Sequence, residues 1–209
     1  MFRKSSLIGV AVASLLAPSV TASDRLNDAL KFTAEPVTLN NPPSPESVAT
    51  PVAETPEYPI TCSNCTKEET LVLNALQDRG ITDRHALAVI MGNIRQESKF
   101  DSKICEGGAR TGYHGCHRGG FGLIQFTSQH RYDGLGMFAR GNQMNPDHIE
   151  TQIQYVFTER EWRAAERGFM QEGQSIRFYM NHAYTWLGWG IEGNRSYYAS
   201  KYVGLLQLP

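Results

Sequence analysis

The sequence predicts a mostly α-helical (α+β) domain over residues 60–209, carrying a Gly-rich loop or small hairpin and preceded by a disordered Pro-rich linker. Three observations carry this expectation. Apolar residues recur at helical spacing in successive stretches after Thr66, with a capping residue ahead of several of them. Seven glycines, at 107, 108, 112, 115, 119, 120 and 122, crowd the interval from Ser102 to Gly122, which admits a loop or short hairpin but no long helix. Seven of the ten prolines lie between Pro36 and Pro59, among Thr, Ser, Glu and Ala, a composition too poor in apolar surface to fold.

Taken in order, the chain starts with Arg3 and Lys4, an apolar run from Leu7 to Leu16, and small residues at Val20-Thr21-Ala22. That is the layout of an export signal covering residues 1–22. The run is too short for the ~20 apolar residues of a bilayer span, and no later segment is apolar enough, so no stable membrane span is expected after removal of the signal. Residues 23–59 read as a tether, extended by its prolines, with one short helix possible at Asp24 to Thr33. The tether carries two basic and six acidic residues, net −4, whereas residues 60–209 carry 16 basic against 15 acidic residues. No basic excess gathers on one face, and Arg and Glu alternate between Glu159 and Arg167, so nucleic acid is not an expected partner.

Within residues 60–209, Thr66-Lys67-Glu68-Glu69 has the form of a capping box and opens a first helix with Leu71, Val72, Ala75 and Leu76, ended by Gly80. Thr82 or Asp83 caps a second, whose Leu87, Ile90, Met91 and Ile94 recur at i, i+3, i+4 and i+7. Asn145-Pro146 opens another with Ile149, Ile153, Val156 and Phe157, and further helical patterns follow from Trp162, Ser175 and Asn194.

Glu97 sits one turn beyond Ile94, on the flank of the apolar face of the second helix. Partial burial and the negative end of the helix both disfavour a charged carboxylate, which suits a group that must hold a proton and donate it. The alternative is a helix-ending glutamate paired with Arg95, Lys99 or an arginine from elsewhere. A second stretch, Gly119 to Arg131, combines glycines that allow close backbone approach, the anchors Leu123 and Ile124, and the amide of Gln125.

Together, "GNIRQESKF" and, some twenty residues later, "GFGLIQFTSQHR" resemble the lysozyme-like superfamily, most closely the phage tail lysozyme type and less closely the lytic transglycosylases with their Glu-Ser and Gly-Leu-x-Gln motifs. The resemblance spans Leu87 to Arg131. It implies a lysozyme-like catalytic domain over residues 60–209 that acts on peptidoglycan, with Glu97 as general acid and Ser98 and Gln125 lining the sugar cleft. "NHAYTW", Asn181 to Trp186, echoes the Ala-Tyr motif of transglycosylases, with Thr185 where asparagine is expected, and makes Tyr184 a candidate cleft residue. Thr127 is a candidate for positioning water.

A glycosidase usually pairs its acid with a second carboxylate, at ~5 Å as nucleophile or ~6.5 to 9.5 Å as base across a water. Asp101, Glu106 and Asp133 are the nearby candidates, and none stands out. Some relatives instead use the substrate's own N-acetyl group, giving an anhydro-sugar product. Both routes stay open at this point, and the motif match favours hydrolysis. A non-catalytic wall-binding module is the alternative from another class.

Cys62, Cys65, Cys105 and Cys116 form an even set in an exported chain, where disulfides are the default. Three connectivities are possible, among them a Cys105–Cys116 clamp on the Gly-rich loop with Cys62 joined to Cys65. A zinc site made by all four cysteines, or with His114 or His117 replacing one, is the alternative to disulfides, although ten residues between the second pair do not make a zinc-knuckle spacing. The expected enzyme needs no metal and no organic cofactor. His130 and His182 read as ordinary polar residues, and Trp186, Trp189, Tyr197 and Tyr198 as an aromatic cluster that fills a core or stacks on sugars. The expected location is outside the cytoplasm: periplasmic, secreted or virion-associated.

Overall fold

The structure, a computed structural model, describes residues 57–116 and 119–208. The export signal, residues 23–56 of the tether with its short helix, and His117 lie outside the described residues. The described part is built from seven α-helices: α1 (Lys67–Asp78), α2 (Arg84–Ser98), α3 (Gln129–Gly141), α4 (Ile149–Thr158), α5 (Arg160–Phe169), α6 (Ile176–Leu187) and α7 (Arg195–Leu205). Two isolated antiparallel bridges, Thr61 with Gln207 and Cys105 with Phe121, are the only β-type pairing among the described residues.

Local signals set several helix starts. Thr66 and Glu69 close a reciprocal capping box on α1, and the Asp83 carboxylate accepts the His85 and Ala86 amides at the start of α2. Ser175 caps α6 by accepting from Phe178. Before α4, Asn145 Oδ1 accepts the Asp147 amide at 2.9 Å, so the Asn-Pro pair makes a turn and the helix itself begins at Ile149.

α2 is the central element. Every residue from Ala86 to Ile94 is buried, including Gly92 and Asn93, so its middle is enclosed on all sides rather than on one stripe. α7 crosses it most closely, because Gly92 has no side chain: a Cβ there would lie 2.8 Å from the Ala199 Cα. α1, α4, α5 and α6 close the remaining sides, with Trp162, Phe169, Tyr179 and Trp186 filling the space between them. Trp186 is thus a core residue, whereas Tyr197 is exposed.

α3 is the element with no clear sequence pattern. It contains Gly134, Gly136 and Gly141, and only Leu135 and Ala139 are buried along it. Ser128 caps it, and two glycines serve as notches: the phenol rings of Tyr155 and Tyr113 rest where side chains at Gly134 and Gly136 would be. Tyr113 in turn stacks on Tyr132 with ring centroids 4.4 Å apart.

The Gly-rich segment folds as a loop clamped by a Cys105–Cys116 disulfide, while Cys62 bonds Cys65. All four sulfurs are oxidised, so none is available as a thiolate ligand for zinc. Behind the loop, the fully buried Gln152 donates to the carbonyls of Ser102 (2.7 Å) and Pro146 (2.8 Å) and accepts the Leu123 amide (2.7 Å). One side chain thereby joins α4, the loop and the Gly119–Arg131 stretch. No described helix is long and apolar enough to cross a membrane.

Candidate active site

Glu97 leaves the last turn of α2 just before the chain reverses through Lys99 and Phe100, both at positive φ (55° and 66°). The reversal is held by Ser98: its hydroxyl donates to the Leu123 carbonyl at 2.7 Å and accepts the Phe100 amide at 3.1 Å. Successive helical residues point about 100° apart, so Glu97 and Ser98 face different surroundings. Ser98 is buried and ties the two motif stretches together. It is not among the residues that line the cavity at Glu97.

Glu97 lines a cavity of about 370 Å³, together with Ile124, Gln125, Thr127, Arg131, Trp189 and Arg195 among others. That size falls in the range of ligand sites, ~300 to 1,000 Å³. Gln125 adopts φ 51° and donates to the carbonyls of Gly122 (3.1 Å) and Ile104 (3.3 Å), leaving its side-chain oxygen unbonded among the described residues. The Thr127 hydroxyl donates to the Gln125 carbonyl at 2.7 Å and is exposed. Tyr184 does not border this cavity. It lines a neighbouring one that shares Trp189.

The partner of Glu97 is Arg195, at the first position of α7, whose Nη2 donates to Glu97 Oε1. Its guanidinium is anchored further by Nη1 donating to the carbonyls of Ile191 (3.0 Å) and Glu192 (2.8 Å), and it lies 4.7 Å from the Trp189 ring centroid. Its buried Nε has no hydrogen-bond partner among the described residues. Side-chain exposure is 7% for Arg195 and 16% for Glu97, so the carboxylate keeps an open side toward the cavity. The sequence alternative of an arginine from elsewhere is therefore realised, and realised beside a cavity.

A second guanidinium on the wall, Arg131, is spoken for: it grips Glu159 through two hydrogen bonds of 2.7 and 2.6 Å. Burial pushes the Glu159 carboxyl above the usual carboxylate range, against the opposing pull of Arg131. Among the described residues, Glu97 is the one carboxylate on the cavity wall. Asp101 is engaged by Arg110, Glu106 by the Gly120 amide and Asp133 by Gln129, and none of the three lines the cavity. His130 is exposed on α3, and His182 packs edge-on against Phe178.

Such a wall offers one carboxylate with a fixed counter-ion, an amide oxygen, an exposed hydroxyl and an indole. It can hold a polar ligand with apolar faces and exchange one proton with it. Arg131 closes the second motif stretch, whereas Trp189 and Arg195 carry no local motif, and only tertiary contact brings them to Glu97. In comparison with known families, the phage tail lysozyme model matches residues 67–204, from the first helix to the end of the last. No curated protein and no solved structure matches the chain.

Proposed function

The chain belongs to the phage tail lysozyme family, and we propose that it cleaves the β-1,4 bond between amino sugars of peptidoglycan, with Glu97 as general acid. Family membership supports peptidoglycan hydrolysis as the activity. The observation that carries the residue assignment is the Glu97 carboxyl opening onto a cavity of about 370 Å³ built from both motif stretches.

Chemically, the two oxygens of Glu97 are not equivalent. Oε1 accepts from Arg195, while Oε2 has no partner among the described residues and is the atom free to carry the proton. In this mechanism, Oε2 protonates the glycosidic oxygen as the bond breaks. Negative charge then returns to the carboxylate beside a guanidinium already in place, which stabilises it without reorganisation.

With no second carboxylate on the wall among the described residues, the oxocarbenium-like centre is met either by a water held near Thr127 and Gln125 or by the substrate's own acetamido oxygen. We favour the water route: anhydro ends among the released muropeptides would overturn it, and where reducing ends form, inversion at the anomeric carbon supports direct attack by water while retention overturns it in favour of the acetamido group. For Glu97 itself, Glu97→Gln keeps the shape and removes the proton. It should abolish lysis of cell walls while sedimentation with purified sacculi persists; loss of the charge opposite the buried Arg195 should lower the melting temperature but leave the domain folded. Undiminished lysis would refute the assignment.

The two disulfides suit an oxidising compartment, in line with an exported or virion-associated protein. The proposed organisation is a removed signal over residues 1–22, a tether over 23–59 and the catalytic domain from 60. N-terminal sequencing of the exported protein should read from Ser23; a start at Met1 would sink the signal.

A further inference from the structure

The alternation of Arg and Glu between Glu159 and Arg167 resolves into two sides once the chain is folded. Glu159 is buried in the grip of Arg131, and Glu166, with 13% side-chain exposure, accepts from Arg79 and from the Trp162 indole. Glu161 is half-buried within electrostatic reach of the Arg131–Glu159 pair. Arg160, Arg163 and Arg167 are exposed, and none has an ion-pair or hydrogen-bond partner for its side chain among the described residues. At about 100° per residue the three lie within about 60° of one another. Their side of α5 is opposite the one that buries Trp162, Ala165 and Phe169.

Within the fold this row is unfavourable. Arg160 with Arg163 and Arg163 with Arg167 are like-charge pairs at i, i+3 and i, i+4, which repel. Arg160 and Arg163 also stand in the first turn of α5, where the helix dipole favours acids. An uncompensated row of cations attracts an anion from outside, and three separate guanidiniums on one line suit a repeating one. Each is a planar fork that can take two oxygens of one phosphate. The face has no ring to stack on a base, because Trp162 and Phe169, the aromatic residues of α5, are buried. It has no large apolar side chain to enter a bilayer either, only Ala164 beside the guanidiniums.

We propose that this face of α5 docks a linear phosphodiester polymer without bases, a chain of polyol phosphates, and so holds the protein on a wall that carries one. The row starts close behind the Glu97 cavity, since Glu159 precedes Arg160 and grips Arg131 on the cavity wall. The choice of polymer rests on the cell-wall reading of the function. Binding itself is independent of cleavage, because such a chain contains no amino-sugar bond.

The test titrates the whole folded protein with a short poly(glycerol phosphate) chain, and in parallel with an oligothymidylate and a poly-glutamate of equal charge and with vesicles of phosphatidylglycerol and phosphatidylcholine. The polyol phosphate should bind most tightly. Raising salt from about 50 to about 200 mM should weaken it by up to about 15-fold, since each phosphate neutralised on a single strand contributes about 0.7 to the slope of log affinity against log salt. The triple variant Arg160→Gln, Arg163→Gln, Arg167→Gln should lose about tenfold in low-salt affinity and most of the salt dependence. Its melting temperature should hold or rise as the like charges are removed, and its lysis of walls chemically stripped of the polymer should not change. Arg140→Gln, at an exposed arginine of α3, and Glu97→Gln should both bind the polymer as the parent does.

Unchanged binding by the triple variant, an affinity indifferent to salt, or a lowered melting temperature in that variant would each overturn the docking face. Tighter binding of the oligothymidylate, the poly-glutamate or the vesicles would overturn the choice of partner in favour of nucleic acid, a carboxylate polymer or a membrane. Undiminished lysis by Glu97→Gln would instead count against the catalytic assignment and leave the polymer binding standing.

Discussion

Replacing Arg195 by glutamine tests whether the ion pair organises the site. The change removes the donor to Glu97 Oε1, the two anchors at the Ile191 and Glu192 carbonyls and the stack on Trp189. Breaking a buried pair from one side costs about 3 to 5 kcal/mol, because the remaining charge is left without a partner. Glu97 retains an open side toward the cavity, where water can solvate it, so the lower figure applies. A loss of about 3 kcal/mol corresponds to a fall of roughly 9 °C in melting temperature for a domain of this size.

The assay is a double-mutant cycle by chemical denaturation, using Arg195→Gln, Glu97→Gln and the double variant. Because the double variant has no stranded charge, it should be more stable than Arg195→Gln alone. The coupling energy should then exceed about 1 kcal/mol. Lysis by Arg195→Gln should also fall about 100-fold, the cost of removing one preorganised donor from a developing charge. A coupling below about 0.5 kcal/mol, with lysis intact, would refute both the energetic and the catalytic role.

Joint replacement of Cys105 and Cys116 by serine should lower stability by about 3 kcal/mol through the lost loop constraint, with lysis falling as Gln125 loses its support at the Ile104 carbonyl; unchanged melting curves would show that the clamp is dispensable. Tyr202 donates its hydroxyl to the buried Glu69, and burial together with that carboxylate raises its pKa above the ordinary 10.0. Because the folded state favours the neutral phenol, the associated stability is present below pH 10 and lost as pH rises through the higher folded value. Tyr202→Phe should therefore cost about 1 to 3 kcal/mol at neutral pH and flatten the alkaline fall in melting temperature; an equally steep fall in the variant would count against this residue as its source.

Much of the frame was legible because the relevant forces act between near neighbours in the chain. A hydroxyl or carboxylate three residues ahead of an apolar run satisfies free amides locally, so Thr66, Asp83 and Ser175 announced α1, α2 and α6. Glu97 was legible for the same reason, since its place after Ile94 depends only on helical phase. α3 was not. Its glycines weaken any propensity argument, and what favours the helix is a set of tyrosine rings that arrive from Tyr113 and Tyr155 to fill the notches.

Ser98 shows the same boundary at the scale of one residue. The motif names it beside Glu97, but one step of helix turns it from the cavity to the core, and whether a side chain there meets sugar or the Leu123 carbonyl depends on what packs behind it. Local sequence by itself determined most of the helices and the carboxyl at the end of α2. Only the tertiary structure decided the partner of that carboxyl, since Arg195 and Trp189 lie more than ninety residues away in the chain. Their approach follows from the contact of α2 with α7 at Gly92 and Ala199, a long-range packing choice that no local propensity encodes.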